Sequence, residues 1–144
     1  MERYLSHSPE ETMEIAARFA QKLRPGDLVA YRGGMGAGKT AFTRGVVSAF
    51  GDPDQVSSPT FALVHEYATQ PVIWHFDMYR VEGFDDLYST GFFDYLEQGG
   101  ILLIEWSENI DGVLPDGTIR VAIGMPETGG ETDREIIIEG DDRF

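Results

Sequence analysis

Gly33-Gly34-Met35-Gly36-Ala37-Gly38-Lys39-Thr40 places glycines, a lysine and a threonine at the spacing that holds a polyphosphate. Glycines let successive backbone N–H groups turn inward on phosphate oxygens, and a helix beginning at Lys39 adds its partial positive charge. Lys39 can reach the terminal phosphates, and the Thr40 hydroxyl can ligate magnesium. The chain has only two lysines, Lys22 and Lys39, and one of them lies in this loop. These residues predict a site for a nucleoside triphosphate with magnesium, with Lys39 facing solvent when nothing is bound. Such a site needs acids opposite Thr40. Glu105 is the leading candidate, because it ends the apolar run Ile101-Leu102-Leu103-Ile104 and ligands bind outside the carboxyl ends of such strands. Asp77 is the second acid. It could order the metal's water shell or polarise an attacking water, with His75 and Tyr79 on its face, or it could simply pair with Arg80. Both readings stand at this point.

The base is read by no visible guanine device: there is no Asn-Lys-x-Asp segment and no Asp-x-x-Gly switch. ATP is therefore the expected nucleotide. Ser57-Ser58-Pro59-Thr60 follows the phosphate helix and is either a switch that closes over the nucleotide or a plain proline turn.

These residues need particular elements to hold them. Leu28-Val29-Ala30-Tyr31 predicts a buried strand within Asp27 to Arg32, and Phe42, Val46, Val47 and Phe50 predict a helix from Lys39 to Phe50 that stops at Gly51. Upstream, Ser8-Pro9-Glu10-Glu11 reads as a capping-box helix start, followed by an apolar stripe of Met13, Ala16, Ala17, Ala20 and Leu23. Strands are expected at Phe61 to Tyr67 and Val72 to Tyr79, joined by a hairpin-like turn, then at Ile101 to Glu105, Thr118 to Gly124 and Arg134 to Glu139. In the second of these, Trp74, Phe76 and Met78 would face a core, with His75, Asp77 and Tyr79 opposite. Glu82 to Tyr95 reads as one or two short helices, and Asp141 to Phe144 as a frayed end. The pattern predicts a single P-loop ATPase domain over residues 1–144. Its fold class is α/β, a P-loop NTPase-type, mainly parallel sheet flanked by helices, with antiparallel hairpin strands.

Composition narrows the function. Twenty-five acids against eleven Lys and Arg give a net charge of −14. No surplus cation is left to neutralise a phosphate backbone, so strong direct binding to nucleic acid is not expected. The absence of cysteine excludes a disulfide framework, a thiol nucleophile and a thiolate-held metal. No run approaches membrane-spanning length, and a cytoplasmic protein is expected.

Taken jointly, the glycine loop, Ser58-Pro59-Thr60-Phe61 leading to Leu63-Val64-x-Glu66-Tyr67, His75-Phe76-Asp77-Met78-Tyr79-Arg80 and Ile104-Glu105-Trp106 resemble the TsaE family, also known as YjeE. The matches run in the family's order from Gly33 to Trp106. The resemblance implies a small ATPase that acts with the proteins TsaD and TsaB. Together they place a threonylcarbamoyl group on N6 of the adenosine beside the anticodon, in tRNAs reading codons that begin with A. The transfer belongs to TsaD, and the TsaE-type protein is an accessory factor with slow hydrolysis. Carried over by motif, Gly36, Ala37, Gly38, Lys39, Thr40 and Ala41 would wrap the phosphates, with Gly33 also among the nucleotide-binding residues, Thr40 and Glu105 on magnesium, and Asp77 near the terminal phosphate and counted with the metal-binding residues. Lys39, Asp77 and Glu105 would be the catalytic set. The resemblance also implies nucleotide contacts around Thr12, Glu108 and Arg134. Ala41 departs from the pattern, since many members carry a second threonine there, and a hydroxyl for the α-phosphate is missing.

Two other classes compete. A small-molecule kinase would use the same loop but needs a lid of several arginines, and Arg44, Arg80, Arg120, Arg134 and Arg143 form no cluster in sequence. A non-catalytic adaptor would use ATP only as a switch.

Overall fold

The computed structural model describes residues 1–33, 38–56, 64–77, 88–89, 91–105, 112 and 114–144, with Asp77 described by its backbone alone. Several expectations lie outside the described residues: those for Gly34 to Ala37, the Ser57 to Thr60 switch, Phe61 to Leu63, Met78 to Arg80, the first part of the Glu82 to Tyr95 helix, Trp106 and Glu108.

The elements are β1 (Glu2–Ser6), α1 (Pro9–Ala20), β2 (Leu28–Arg32), α2 (Lys39–Ser48), β3 (Val64–Tyr67), β4 (Ile73–Asp77), α3 (Phe92–Glu97), β5 (Ile101–Glu105), β6 (Ile119–Gly124) and β7 (Arg134–Glu139). The strands form one seven-stranded sheet in the order β1-β7-β6-β2-β5-β4-β3. Its middle is parallel: β2 pairs with both β5 and β6, and β5 pairs with β4. Its two ends are antiparallel, with β3 on β4 at one side and β6, β7 and β1 at the other. The expected α/β class holds. β1 is an addition, since no strand was expected before Ser8. Glu-Arg-Tyr-Leu-Ser is too short to show a period, and its partner β7 lies at the far end of the chain, where Arg3 pairs with Glu135.

Helix α1 starts as its capping residues dictate. Ser8 Oγ accepts from the Glu11 N–H at 3.0 Å, while the Glu11 carboxylate accepts from the N–H of His7. Its buried face is Thr12, Ile15, Ala16, Phe19 and Ala20, rotated from the expected stripe. Met13 and Ala17 are only half-buried. The larger Ile15 and Phe19 side chains take the core positions, and Phe19 packs its ring 5.5 Å from Phe42. Where α1 crosses α2, a β-carbon on Gly45 would lie 2.3 Å from the Met13 carbonyl oxygen and 2.6 Å from Ala16 Cβ. The two helices therefore touch backbone to backbone there, which only glycine permits.

Both faces of the sheet are covered. Helices α1 and α2 bury Val29, Tyr31, Ile73, Ile101 and Leu103 on one side. On the other, Leu28, Trp74, Phe76, Leu102 and Ile104 pack with Phe92 of α3. Strand β4 is thus buried on two faces rather than one, and His75 is only 2% exposed. A parallel strand covered on both sides must bury whatever alternates with its apolar residues. The C-terminus is not frayed. The Arg143 guanidinium bonds both carboxylate oxygens of Asp27, at 2.9 and 3.0 Å, and Phe144 packs 5.3 Å from the ring of Phe19. Among the described residues no helix is long and apolar enough to cross a membrane.

Candidate nucleotide and metal site

The parallel strands point their carboxyl ends at the start of α2, so the site is made where strands end and one helix begins. Gly38 caps that helix in the left-handed conformation, with φ +104°, a backbone that side chains rarely adopt. Among the described residues no side chain caps the helix, and no acid lies in its first turn. The N-terminal N–H groups of α2 therefore form an anion-seeking helix end.

Lys39 does not extend into solvent as expected. It is 8% exposed, and its ammonium donates to the Gly33 carbonyl oxygen at 2.9 Å. Thr40 and Ala41 follow, half-buried, in the same turn. One turn on, the Thr43 hydroxyl donates to the Lys39 carbonyl at 2.9 Å and reaches the Tyr31 hydroxyl at 3.3 Å, which ties α2 to the strand beneath it.

Glu105 and Asp77 stand side by side in register at the ends of β5 and β4. The Glu105 carboxylate is buried, and Oε1 lies 3.3 Å from His75 Nε2. Burial pushes the Glu105 carboxyl upward. His75, Lys39 and His65 outweigh it and hold the group below its ordinary value, so a buried anion sits at the strand ends. Behind His75, the Tyr67 hydroxyl lies 2.9 Å from Nδ1. Burial, helped by the Glu105 charge, pushes the Tyr67 hydroxyl up to about 12. The His65 ring stacks on Tyr67 and lies 6.4 Å from His75.

The structure thus brings Gly33, Gly38, Lys39, Thr40, Glu105 and the backbone of Asp77 to one end of the sheet. Arg134 borders the loop: its Cγ is 4.0 Å from where a β-carbon on Gly38 would sit, and its guanidinium donates to the carbonyls of Glu131 and Asp133. Thr12 is buried in α1, its hydroxyl 2.7 Å from Ser6 Oγ. Gly36, Ala37 and Glu108 lie outside the described residues. Sequence reasoning gave no role to His65 and Tyr67. The signal was present: they alternate on one face of a strand that pairs His65 directly against His75.

These groups suit a magnesium-bound triphosphate. The Thr40 hydroxyl and the Glu105 carboxylate are the hard oxygen donors magnesium takes. A carboxylate kept ionised in the interior is an anion whose natural complement is a cation.

A model of the family described as "Threonylcarbamoyl adenosine biosynthesis protein TsaE" matches residues 6–136. The chain is similar to the tRNA threonylcarbamoyladenosine biosynthesis protein TsaE of Rickettsia prowazekii, at 42% identity over 80% of this chain and 81% of that protein. The Rickettsia conorii TsaE is 41% identical over 80% of this chain, which spans 66% of that relative's length. The Bacillus subtilis TsaE is 36% identical over 90% of this chain and 79% of its own. Among solved structures, the crystal structure of Bacillus subtilis YdiB superposes with a TM-score of 0.77 at 28% identity, covering 99% of this chain and 87% of that one.

Proposed function

The chain belongs to the TsaE family of threonylcarbamoyladenosine biosynthesis proteins, and from that premise we propose that it is a magnesium-dependent ATPase serving tRNA threonylcarbamoylation together with TsaD and TsaB. One observation carries the ATPase reading: a buried lysine at an uncapped, acid-free helix start shares the strand ends with a buried, ionised glutamate. Lys39 exchanges its carbonyl partner for the terminal phosphates, and the first-turn N–H groups of α2 take phosphate oxygens. Thr40, Glu105 and Asp77 would hold magnesium, which supplies charge neutralisation on the phosphates when bound. Asp77, whose backbone lies in register beside Glu105, would order the metal's water shell or polarise the attacking water. Arg134 of β7 lies beside Gly38, from which it would reach the nucleotide. With Ala41 in place of a hydroxyl residue, the α-phosphate loses a donor, which weakens affinity without removing a reacting group.

The net charge of −14 supports a division of labour in which the partner proteins, rather than this chain, contact the tRNA. It works where those partners do, in the cytoplasm. The kinase alternative gains no support. Arg143 is committed to Asp27 at the opposite end of β2, far from any lid over the loop.

The deciding experiment measures phosphate release from ATP by the chain alone, with the TsaD–TsaB pair, and with tRNA added. Slow hydrolysis that rises in the presence of the pair is expected. Rapid phosphoryl transfer to a small acceptor, or hydrolysis and capture of the pair indifferent to nucleotide, would overturn the proposal. A filter-binding titration that found tight binding to free tRNA would remove the division of labour.

A further inference from the structure

Strands β3 and β4 carry a row of buried polar groups up behind Glu105. The Tyr67 hydroxyl is 2.9 Å from His75 Nδ1, and His75 Nε2 is 3.3 Å from Glu105 Oε1. His75 is 2% exposed, yet its Nε2 has no hydrogen-bond partner among the described residues. The position of the imidazole proton follows from what each neighbour can do. A carboxylate oxygen can only accept, so a bare Nε2 at that distance would set lone pair against lone pair. A proton therefore sits on Nε2, and in the neutral ring this leaves Nδ1 as the acceptor to which the Tyr67 hydroxyl donates. Held up to about 12, that hydroxyl keeps its proton at neutral pH and remains a donor. What results is a buried Nε2–H, fixed in orientation from behind, standing next to Oε1 without a completed bond.

We propose that His75 is a positioning residue, oriented by Tyr67, whose Nε2–H restrains one oxygen of Glu105 and leaves the other for the metal. The inference rests on the reading of Glu105 as a magnesium ligand. It adds an outer layer to that reading: ligands are aimed by the groups hydrogen-bonded behind them, and loss of such a group typically weakens metal binding tenfold to a hundredfold. Nothing else in the strand explains the pair. An apolar residue at position 75 would fill the same space beside Ile73 and Leu103 and bury no orphaned donor.

The test has two independent readouts. Nitrogen-15 spectra of histidine-labelled protein should show His75 with a protonated Nε2 and an accepting Nδ1; the opposite tautomer would overturn the proposal without any reference to metal. Calorimetric titration of magnesium into protein saturated with a non-hydrolysable ATP analogue then compares variants of confirmed fold. His75→Leu should weaken magnesium about tenfold to a hundredfold. His75→Gln, which presents an N–H at the Nε2 position, should recover most of that loss, and Tyr67→Phe should lose less than tenfold. Equal losses in the Leu and Gln variants would mean packing alone, and would overturn the positioning role. Glu105→Gln separates the two levels. If it weakens magnesium and His75→Leu does not, the positioning role fails. If Glu105→Gln leaves magnesium affinity unchanged, it is the metal reading itself that fails.

Discussion

Strands β4 and β5 show the interior two opposite faces. On one, Trp74, Phe76, Leu102 and Ile104 pack with Phe92, and Phe76 meets the Phe92 and Tyr95 rings edge-on at 5.7 and 5.3 Å. On the other, one residue along each strand, stand His75 and Glu105, equally buried and polar. Among the described residues, the His75 Nε2 and His65 Nε2 atoms on this face have no hydrogen-bond partner. A period of two lets the same ten residues build both faces. The comparison teaches that stability and chemistry are separated by the pleat: the aromatic face supplies burial energy, and the helix-covered face carries buried polarity that weakens the fold and has a use only when something binds.

The separation can be broken at its apolar side first. Phe76→Ala should cost about 3–5 kcal/mol of stability, the range for emptying a buried aromatic site. Nucleotide affinity of the remaining folded protein should stay near that of the parent. Denaturant unfolding and calorimetric titration measure the two quantities on one sample. A variant that kept its stability but lost ATP would end the comparison. Gly45→Ala comes next. Its β-carbon meets main-chain atoms of α1, which cannot swing aside, so the helices must separate at a cost of about 1–3 kcal/mol. Since α2 carries Lys39 and Thr40, this change should also loosen triphosphate binding, and thus marks where the two faces are mechanically joined.

How much of this was legible follows from what is local. The Ile101 to Glu105 strand, the Ser8 helix start and the Gly38-Lys39-Thr40 helix entry each depend on neighbours in sequence, and each was found where expected. The acid at the end of β5 was legible because an apolar run stops on it. The rotated face of α1 was not, because Ile15 and Phe19 win their places against Phe42 and Phe144, residues the helix's own sequence does not contain. β1 and the C-terminal clasp needed contacts across the whole chain, Met1 N to the Phe144 carbonyl at 3.0 Å among them. The burial of His75 needed knowledge that α1 and α2 cover the face opposite the aromatics. Lys39 was expected in solvent because a charge usually is; the carbonyl of Gly33 gives it a buried alternative.

From the polar side, Lys39→Ala reverses the first prediction. The loss includes the ammonium's hydrogen bond to the Gly33 carbonyl and its charge near Glu105, so stability should fall by about 1.5–3 kcal/mol, less than at Phe76. Triphosphate binding should disappear from the same calorimetric titration. Wild-type ATP affinity in a folded Lys39→Ala protein would remove the phosphate-loop assignment altogether.

The smallest expected effect lies away from both faces, at the joint between β1 and α1. There His7 Nδ1 is 3.0 Å from Asp133 Oδ1, the Thr132 hydroxyl donates to the His7 carbonyl at 2.9 Å, and the Gly130 N–H donates to Asp133 Oδ2 at 2.9 Å. The hydrogen bond to Asp133, with the charges of Asp133 and Glu11, raises His7 above its ordinary 6.5. The Gly130 N–H and then His7 lower Asp133 below its ordinary 3.8. A raised histidine contributes stability in full below pH 6.5, and that contribution is lost as pH rises through its folded value. A lowered aspartate contributes above pH 3.8 and fails as pH falls through its folded value. The pair is therefore complete between these limits, and the protein should melt at a slightly lower temperature at pH 8 than at pH 6. Exposure to solvent keeps the effect small. His7→Gln should abolish this part of the pH dependence, and a proton NMR titration should find the His7 ring raised in the parent protein. If the variant and the parent lose the same melting temperature between pH 6 and pH 8, the joint is not held by this charge pair.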